Sequence, residues 1–307
     1  VVIALRHVPE SRDRTTSGGM DVLGAALAAF GLGALCYALI EAPDAGWSSP
    51  PILASFLAAA LALGAFALVE RRVSHPMLPL SIFRSRQFTA ANLVTLVVYA
   101  GLGGALFLLP IELQQVAHYS ALAAGTALLP LTVIMLALSS RSGALAVRIG
   151  PRLQMSAGPL IVAAGLILFG RIDSSGNYIS QVLPAVIVLG LGLAATVAPL
   201  TATVLAAAPA EEAGVASAVN NDVARAAGLL AVAILPAAAG ITGASYLDAQ
   251  SFSGGFRFAM LAAGLLCALG GLLAALQIRN PVRVPSRAAA AHAHCALDGP
   301  PLRKKAA

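Results

Sequence analysis

Eight long apolar runs constrain the fold of this chain more than any other feature of its sequence. Each run is close to the roughly 20 residues that an α-helix needs to cross about 30 Å of hydrocarbon. The runs cover residues 20–40, 52–69, 89–111, 121–139, 153–171, 182–205, 214–244 and 256–278. None alternates polar and apolar residues as a membrane β-strand does. We therefore predict an all-α membrane protein with eight transmembrane helices.

The composition supports lipid as the solvent of the whole chain. Of its 307 residues, 59% are hydrophobic and only 10% are charged, and the mean hydropathy is +0.86. Soluble domains have about 25% charged residues, so this chain cannot cover its apolar surface in water. A soluble enzyme, a nucleic-acid-binding module, a coiled coil and a disordered chain are excluded. The three cysteines are too few for a disulfide framework.

The basic residues predict the orientation of the helices. Of the 19 Lys and Arg residues, 16 lie before the first run, after the second, after the fourth, or in the C-terminal tail. The opposite loops contain only Arg171 and Arg257, and Arg225 lies within a run. Cytoplasmic loops carry the excess of basic residues, so both ends of the chain are predicted to be cytoplasmic, in a multi-pass inner (plasma) membrane protein. The net charge of +6 then reflects topology instead of a nucleic-acid partner.

The runs are of two kinds, and this predicts the domain organisation. The first two, within 20–69, contain no internal proline and almost no polar side chain, which is typical of peripheral helices. The later runs are rich in Gly and carry Pro110, Pro130, Pro159, Pro184, Pro199 and Pro236. Lipid tolerates proline only where neighbouring helices or a cavity satisfy the freed carbonyl groups. We therefore predict two peripheral helices followed by a six-helix bundle over 89–278.

Three further segments complete the predicted domain boundaries. Residues 1–19 are interpreted as the end of a preceding helix and a cytoplasmic loop, so the chain is expected to be a fragment or a truncated product. Residues 70–88 form an amphipathic cytoplasmic loop, expected to lie on the membrane through Leu78, Leu80, Ile82 and Phe83. Residues 279–307 are rich in Ala, Pro and Arg without periodicity, and are predicted to be a disordered basic cytoplasmic tail.

Three stretches resemble a known family. The stretch SRSGALAVRIGPR (140–152) is predicted to form a tight cytoplasmic turn, and it resembles the second-half copy of the Gly-Arg signature of the major facilitator superfamily. Its Val147 stands where the full signature has Asp. HPMLPLSIFRSRQF (75–88) and GVASAVNNDVARAAG (214–228) are similar to the fourteen-helix drug:proton antiporter branch.

This resemblance implies a fold and a function. The eight runs would be family helices 7 to 14: two linker helices and then the six-helix C-terminal half, built from inverted three-helix repeats over 89–171 and 182–278. The implied function is proton-coupled export of drugs or other small amphipathic molecules by alternating access. The N-terminal half, which carries the family's proton-coupling acid, would be a missing partner.

Two sets of candidate site residues follow. Candidates for the substrate or proton pathway are Asn92, Tyr99, Asn220, Asn221, Asp222 and Arg225. Asp222 and Arg225 are three apart and share a helix face, which suits a functional site, a structural ion pair or an interfacial cluster. Candidates for a cytoplasmic gate are Gly143, Arg148, Gly150, Arg152, Glu211 and Glu212. In this hypothesis the two acids pair with the arginines across the loops. The alternative is that both acids are solvated loop residues. Glu112 is interpreted as an anchor at the membrane interface, with a cation contact on the periplasmic side as the alternative.

Other chemistry is not predicted. His292, His294 and Cys295 are one ligand short of a closed zinc site, so we expect no metal and no cofactor. The chain carries no metalloprotease, phosphate-loop or nucleophile-elbow motif, so we predict that it is not an enzyme. The predicted partners are membrane lipid, a small-molecule substrate, protons and the missing N-terminal half, and not nucleic acid. A half-transporter or membrane assembly protein without transport activity of its own remains the alternative, as does a nonfunctional remnant.

Overall fold

The computed structural model describes residues 21–73, 76, 78, 80–209 and 212–280. Within these residues the secondary structure is helical, and eight helical spans are long and apolar enough to cross a membrane. The α-helices are α1 (Val22–Ala45), α2 (Pro50–Glu70), α3 (Arg86–Gln115), α4 (Ala121–Thr126), α5 (Leu129–Ile149), α6 (Pro151–Phe169), α7 (Leu183–Ala206), α8 (Ala213–Ala238) and α9 (Ala249–Gln277). Helices α4 and α5 form one span, and a π-helical turn, Tyr178–Val182, leads into α7. The chain is an all-α membrane protein with eight spans.

The first two helices contact each other more than they contact the bundle. Helices α1 and α2 pack mainly on each other, around a small cluster formed by Ala38, Ala42 and Ile52. Their connection to the bundle runs through contacts between α1 and α8. The main core is a separate cluster built from α3 and α6–α9. Two linker helices followed by a six-span bundle is therefore the observed architecture.

The six-span bundle shows an internal two-fold pattern in its helix contacts. Helix α3 packs on α8 and α9, whereas α7 packs on α5 and α6, and α6 also packs on α9. Exchanging α3 with α7, α5 with α8, and α6 with α9 leaves this set of contacts unchanged. Because α3 and α7 cross the bundle in opposite directions, this contact pattern is the one expected of two inverted three-helix repeats.

The symmetry mates α5 and α8 are also the most open helices of the bundle. In the most apolar 18-residue stretch of each span, only 11% of the residues of the α4–α5 span and 28% of those of α8 are buried. The corresponding share is 44% or more in α3, α6, α7 and α9.

We call the end of the bundle with residues 85, 150 and 278–280 the inner end, and the end with residues 116–120, 170–177 and 239–248 the outer end.

The structure moves several predicted boundaries. Helix α1 continues to Ala45 and so contains Pro43, α8 ends at Ala238 instead of residue 244, and α9 begins at Ala249 instead of 256. Capping explains the last change, because the Asp248 side chain accepts a hydrogen bond from the Ser251 backbone N–H. Pro130 and Pro184 lie in first turns, where proline removes no helical hydrogen bond.

The amphipathic segment 70–88 is only partly as expected. Its residues Leu80–Arg84 form a 3₁₀ helix, and α3 already begins at Arg86. Ile82 is buried in the bundle core instead of lying against lipid, and half-buried Phe83 makes an edge-to-face contact with Phe88. The side chain of Leu80, residues 1–20 and the tail from 281, with its His292, His294 and Cys295, lie outside the described residues.

Candidate functional site

The contact between α3 and α8 rests on Gly103, which lies against the backbone of Gly228. A Cβ atom added at Gly103 would lie 2.5 Å from the Cα atom of Gly228, so only glycine fits at this crossing. Small residues allow transmembrane helices to approach closely, and close backbones bring short polar side chains within reach of the opposite helix. The polar residues on these two helices therefore meet across the interface.

Three of these polar residues form a hydrogen-bonded cluster, which we call the inner cluster: Asn92 and Thr95 of α3 and Asn220 of α8. The Asn220 Nδ2 donates to Asn92 Oδ1 at 3.1 Å and to Thr95 Oγ1 at 2.7 Å. Asn92 Nδ2 in turn donates to the Phe88 carbonyl, and the Thr95 hydroxyl to the Ala91 carbonyl. Asn92 and Thr95 are buried, and each has a partner. The inner cluster joins α3 to α8.

Tyr99 lies one helical turn beyond Thr95 on the same face of α3. Its side chain is half-buried and packs against the main core. For Asn92 and Asn220 the contacts are those of helix packing. A role of Asn92, Tyr99 and Asn220 in a substrate or proton pathway stays a prediction.

The remaining predicted pathway residues lie on the open face of α8. Asn221, Asp222 and Arg225 are all exposed. The Asn221 side chain donates a hydrogen bond to the Ser217 carbonyl of its own helix. The open face has helical spacing and comprises Gly214, Ala218, Asn221, Asp222, Arg225 and Leu229.

The depth of these charges makes the open face of α8 unusual. Arg225 is residue 13 of the 26 in Ala213–Ala238, counted from the inner end, and so lies at the middle of the helix. Asp222 is one turn nearer the inner end, about 14 Å from the start of α8. A charge exposed to hydrocarbon at this depth is costly, so such residues face a protein interior or a water-filled cavity. The open face of α8 is thus unsuited to contact with lipid.

The gate candidates at the inner end are arranged differently from the expected loop. Helix α5 runs on to Ile149, so Gly143 and Arg148 lie on a helix and only Gly150 forms the turn. Gly150 has φ = 89°, which side chains disfavour, and a Cβ atom there would collide with the Asn280 side chain. Gly143 has no such restriction, because the nearest atom to a Cβ at that position would be 3.9 Å away.

Arg152 binds the end of α9. Its Nε donates to the Ala275 carbonyl at 2.8 Å, and its backbone N–H donates to Asn280 Oδ1 at 3.1 Å. Ala275 lies in the last turn of α9, where carbonyl groups lack helical partners and a cation is favourable. Gln87 and the Arg279 backbone exchange two further hydrogen bonds nearby. Arg152 therefore joins α6 to α9.

The acidic half of the expected gate is only partly described. Glu212 precedes α8 and is half-buried, Arg148 is exposed, and Glu211 lies outside the described residues. Pairing of these acids with Arg148 stays a prediction. A cavity of about 410 Å³ lies beside Gly143, between the inner ends of α5, α7 and α9. Its polar lining residues are Gln87, Thr203, Arg279 and Asn280.

Glu112 is a residue whose position the sequence did not reveal. Instead of anchoring the interface it is fully buried in the last turns of α3, and neither carboxylate oxygen has a hydrogen-bond partner among the described residues. The predicted run ended at residue 111, one residue before Glu112, whereas α3 continues to Gln115. Thr196 and Thr203, polar residues buried within α7, donate to carbonyls of their own helix.

Comparison with known proteins identifies relatives along most of the chain. Residues 2–233 match the family model described as Major Facilitator Superfamily. A puromycin resistance protein of Streptomyces alboniger is 34% identical over 249 residues, which are 80% of this chain and 49% of that protein. A tetracenomycin C resistance and export protein of Streptomyces glaucescens is 33% identical over 76% of this chain and 44% of its own length. A methylenomycin A resistance protein of Streptomyces coelicolor is 30% identical over 92% and 58%, respectively. The chain thus spans about half the length of these relatives.

Proposed function

Because the chain belongs to the Major Facilitator Superfamily, we propose that it is the C-terminal part of a proton-coupled secondary transporter. This transporter exports drugs or other small amphipathic molecules by alternating access. The open face of α8 carries the proposal, since Asp222 and Arg225 are exposed at the depth of the membrane interior. In a transporter this face lines the central cavity opposite an N-terminal half.

The similarities support the same function. The relatives are named for resistance to puromycin and methylenomycin A and for export of tetracenomycin C. They are about twice as long as the stretch they share with this chain, as expected if a second half completes the cavity. The two-fold contact pattern of the bundle supports equivalent positions for the exposed helices α5 and α8, where both would line that cavity.

The proposal includes a topology and a partner. The inner end of the bundle is cytoplasmic, because 16 of the 19 basic residues lie in the segments at that side. The host membrane is the plasma membrane. The missing partner is an N-terminal half with six helices, and we call the complex of both halves, on one chain or two, the assembled transporter.

Cysteine accessibility tests the open face directly. In an assembled transporter from which all native cysteines, including the three of this chain, have been removed, Ala218→Cys is expected to react with a water-soluble maleimide, and an exported drug should slow the reaction. Leu272→Cys is the matched control, because Leu272 is exposed on α9 and is five residues from the inner end of its helix, just as Ala218 is on α8. Leu272 faces lipid in the proposed arrangement and should not react. Equal reaction at both positions would contradict a cavity along α8.

Export assays test the activity. In a drug-sensitive bacterial host, the assembled transporter should confer resistance and, in inverted vesicles, export driven by a proton gradient. Asp222→Asn and Arg225→Gln should reduce both to the level of cells without the transporter, whereas Arg71→Gln, a loss of charge at the exposed end of α2, should not. We expect this chain without its N-terminal half to be inactive. Export by the chain alone would show that a second half is not needed.

A further inference from the structure

We propose that Glu112, in the C-terminal half, binds a proton that enters from the outer end of the bundle. This site would be additional to the proton-coupling acid expected in the N-terminal half. The inference rests on the proposed proton coupling, but it concerns a residue and an access route that the inner cluster and the open face of α8 do not include. Glu112 is on α3, 17 residues beyond Thr95, at the opposite end of the same helix. It therefore responds to the outer solution and not to the central cavity.

The first observation is an orphaned carboxylate. Glu112 is fully buried, and both of its oxygens lack a hydrogen-bond partner among the described residues. A buried carboxylate without a partner is much less stable than a carboxyl group that has bound a proton. The Glu112 side chain is therefore suited to bind a single proton.

The second observation is the set of side chains around it. Ser253 and Arg257, four residues apart on one face of α9, lie near the Glu112 carboxylate and would stabilise its charged form, although the Ser253 hydroxyl is not close enough, or not well enough aligned, to complete a hydrogen bond. Arg257 also lies near Asp173, in the segment after α6. The arginine therefore has two acidic neighbours, one buried and one exposed to solvent.

The exposed acid, Asp173, is the neighbour of Arg257 that stays ionised at neutral pH. The Ser175 and Gln181 side chains and the Ser175 backbone N–H hydrogen-bond to the Asp173 carboxylate and hold its pKa below the usual value. Asp173 is thus ionised at neutral pH. The charge of Arg257 is therefore balanced by nearby Asp173 while Glu112 is protonated, and it stabilises the Glu112 carboxylate once the proton has left.

The third observation is a cavity that gives access to the site. A cavity of about 460 Å³ at the outer end is lined by His118, Asp173, Ser253 and Arg257, together with residues of the first turns of α9. Its wall thus contains the two side chains that lie near Glu112. A proton from water in this cavity passes the Ser253 hydroxyl and binds a Glu112 oxygen, and its release leaves a carboxylate beside the Arg257 guanidinium.

Carbodiimide labelling tests the proton site without requiring transport. A lipid-soluble carbodiimide accepts the carboxyl proton on one nitrogen while the carboxylate oxygen adds to its central carbon, and the adduct rearranges to a stable N-acylurea. Only the protonated acid reacts, so labelling of Glu112 in the assembled transporter, measured by mass spectrometry, should fall about tenfold per pH unit once the group titrates. Arg257→Gln should extend the labelling to higher pH, whereas Arg257→Lys should resemble the wild type.

Matched variants separate a proton site from a structural role. Glu112→Gln should abolish the label at this position, while Glu41→Gln, a change at an exposed acid near the outer end of α1, should leave it unchanged. No label at Glu112 at any pH, or a label that depends neither on pH nor on Arg257, would overturn the inference.

Vesicle assays distinguish this inference from the proposed function. If the wild type shows no proton-driven export but Glu112 is labelled as expected, the proposed function fails and the proton site stands. If the wild type exports and Glu112→Gln exports equally well under the same proton gradient, the coupling role of Glu112 fails alone. The expected result for Glu112→Gln is loss of gradient-driven export with drug exchange across the membrane retained.

Discussion

Helix α3 carries two buried polar sites that differ in how completely they are satisfied. At its inner part, Asn92 and Thr95 share four hydrogen bonds with Asn220 and with backbone carbonyls of α3. Near its outer end, Glu112 is equally buried, yet both carboxylate oxygens are without a partner in the described chain. A satisfied cluster holds two helices in register, whereas an unsatisfied ionisable group is free to bind and release a proton. Stability measurements should therefore separate the two sites.

The largest effect is expected where the inner cluster depends on backbone approach. Gly103→Leu places side-chain atoms where the Gly228 backbone lies, so α3 and α8 must move apart. We expect a loss of about 3 kcal/mol in the free energy of unfolding of the assembled transporter, measured by reversible denaturation in mixed micelles. Gly33→Leu is the control, because no atom lies within 4 Å of a Cβ at Gly33. Equal losses in the two variants would show that the helix crossing is not tightly packed.

Removing the donor of the inner cluster should have the next largest effect. Asn220→Leu leaves the Asn92 carbonyl oxygen buried without its donor and takes one hydrogen bond from Thr95. We expect a loss of about 2 kcal/mol in the same assay, because an unsatisfied buried polar group retains its full desolvation cost. Asn221→Leu, at the adjacent exposed position, removes only a hydrogen bond to its own helix and should change stability little. The reverse order would show that Asn221 and not Asn220 joins the helices.

Most of the fold was predictable from sequence because lipid leaves few alternatives. Run lengths near those of a membrane-spanning helix predicted all eight spans, and the almost purely apolar composition of the first two runs distinguished them from the six later ones, although α1 extends to include Pro43. Helix ends were less predictable. Asp248 caps α9 well before its apolar run begins, and α3 continues beyond the predicted end at residue 111 to Gln115.

The site residues were predictable as types but not as contacts. Asn92 and Asn220 stood out as polar residues in apolar runs, yet their hydrogen bond depends on the crossing of Gly103 and Gly228, which lie far apart in sequence. Arg152 was identified as a charged residue of a turn, but its partner, the Ala275 carbonyl, is a backbone atom that no side-chain pattern reveals. The burial of Glu112 likewise follows from the packing of α3 on α9, not from its neighbours in sequence.

A double-mutant cycle measures the coupling within the inner cluster itself. Thr95→Val and Asn220→Ala remove the two ends of the 2.7 Å hydrogen bond. We expect the double variant to be more stable than the sum of the single losses predicts, by about 1 kcal/mol, which is typical of interhelical hydrogen bonds in membranes. The same cycle with Asn221→Ala in place of Asn220→Ala should be additive. Additivity in both cycles would mean that the cluster contributes through packing alone.

The smallest effect is expected at Glu112, where the two sites differ most. Glu112→Gln keeps the shape of the side chain and removes no hydrogen bond formed by its oxygens within the described chain. A neutral amide also avoids the cost of a buried charge, so we expect stability to change by less than about 0.5 kcal/mol, with any shift toward greater stability. This result would contrast with Asn220→Leu, which is destabilising. A loss as large as that of Asn220→Leu would mean that the Glu112 carboxylate has partners that hold the bundle together, and the distinction between a structural inner cluster and a proton-binding outer site would fail.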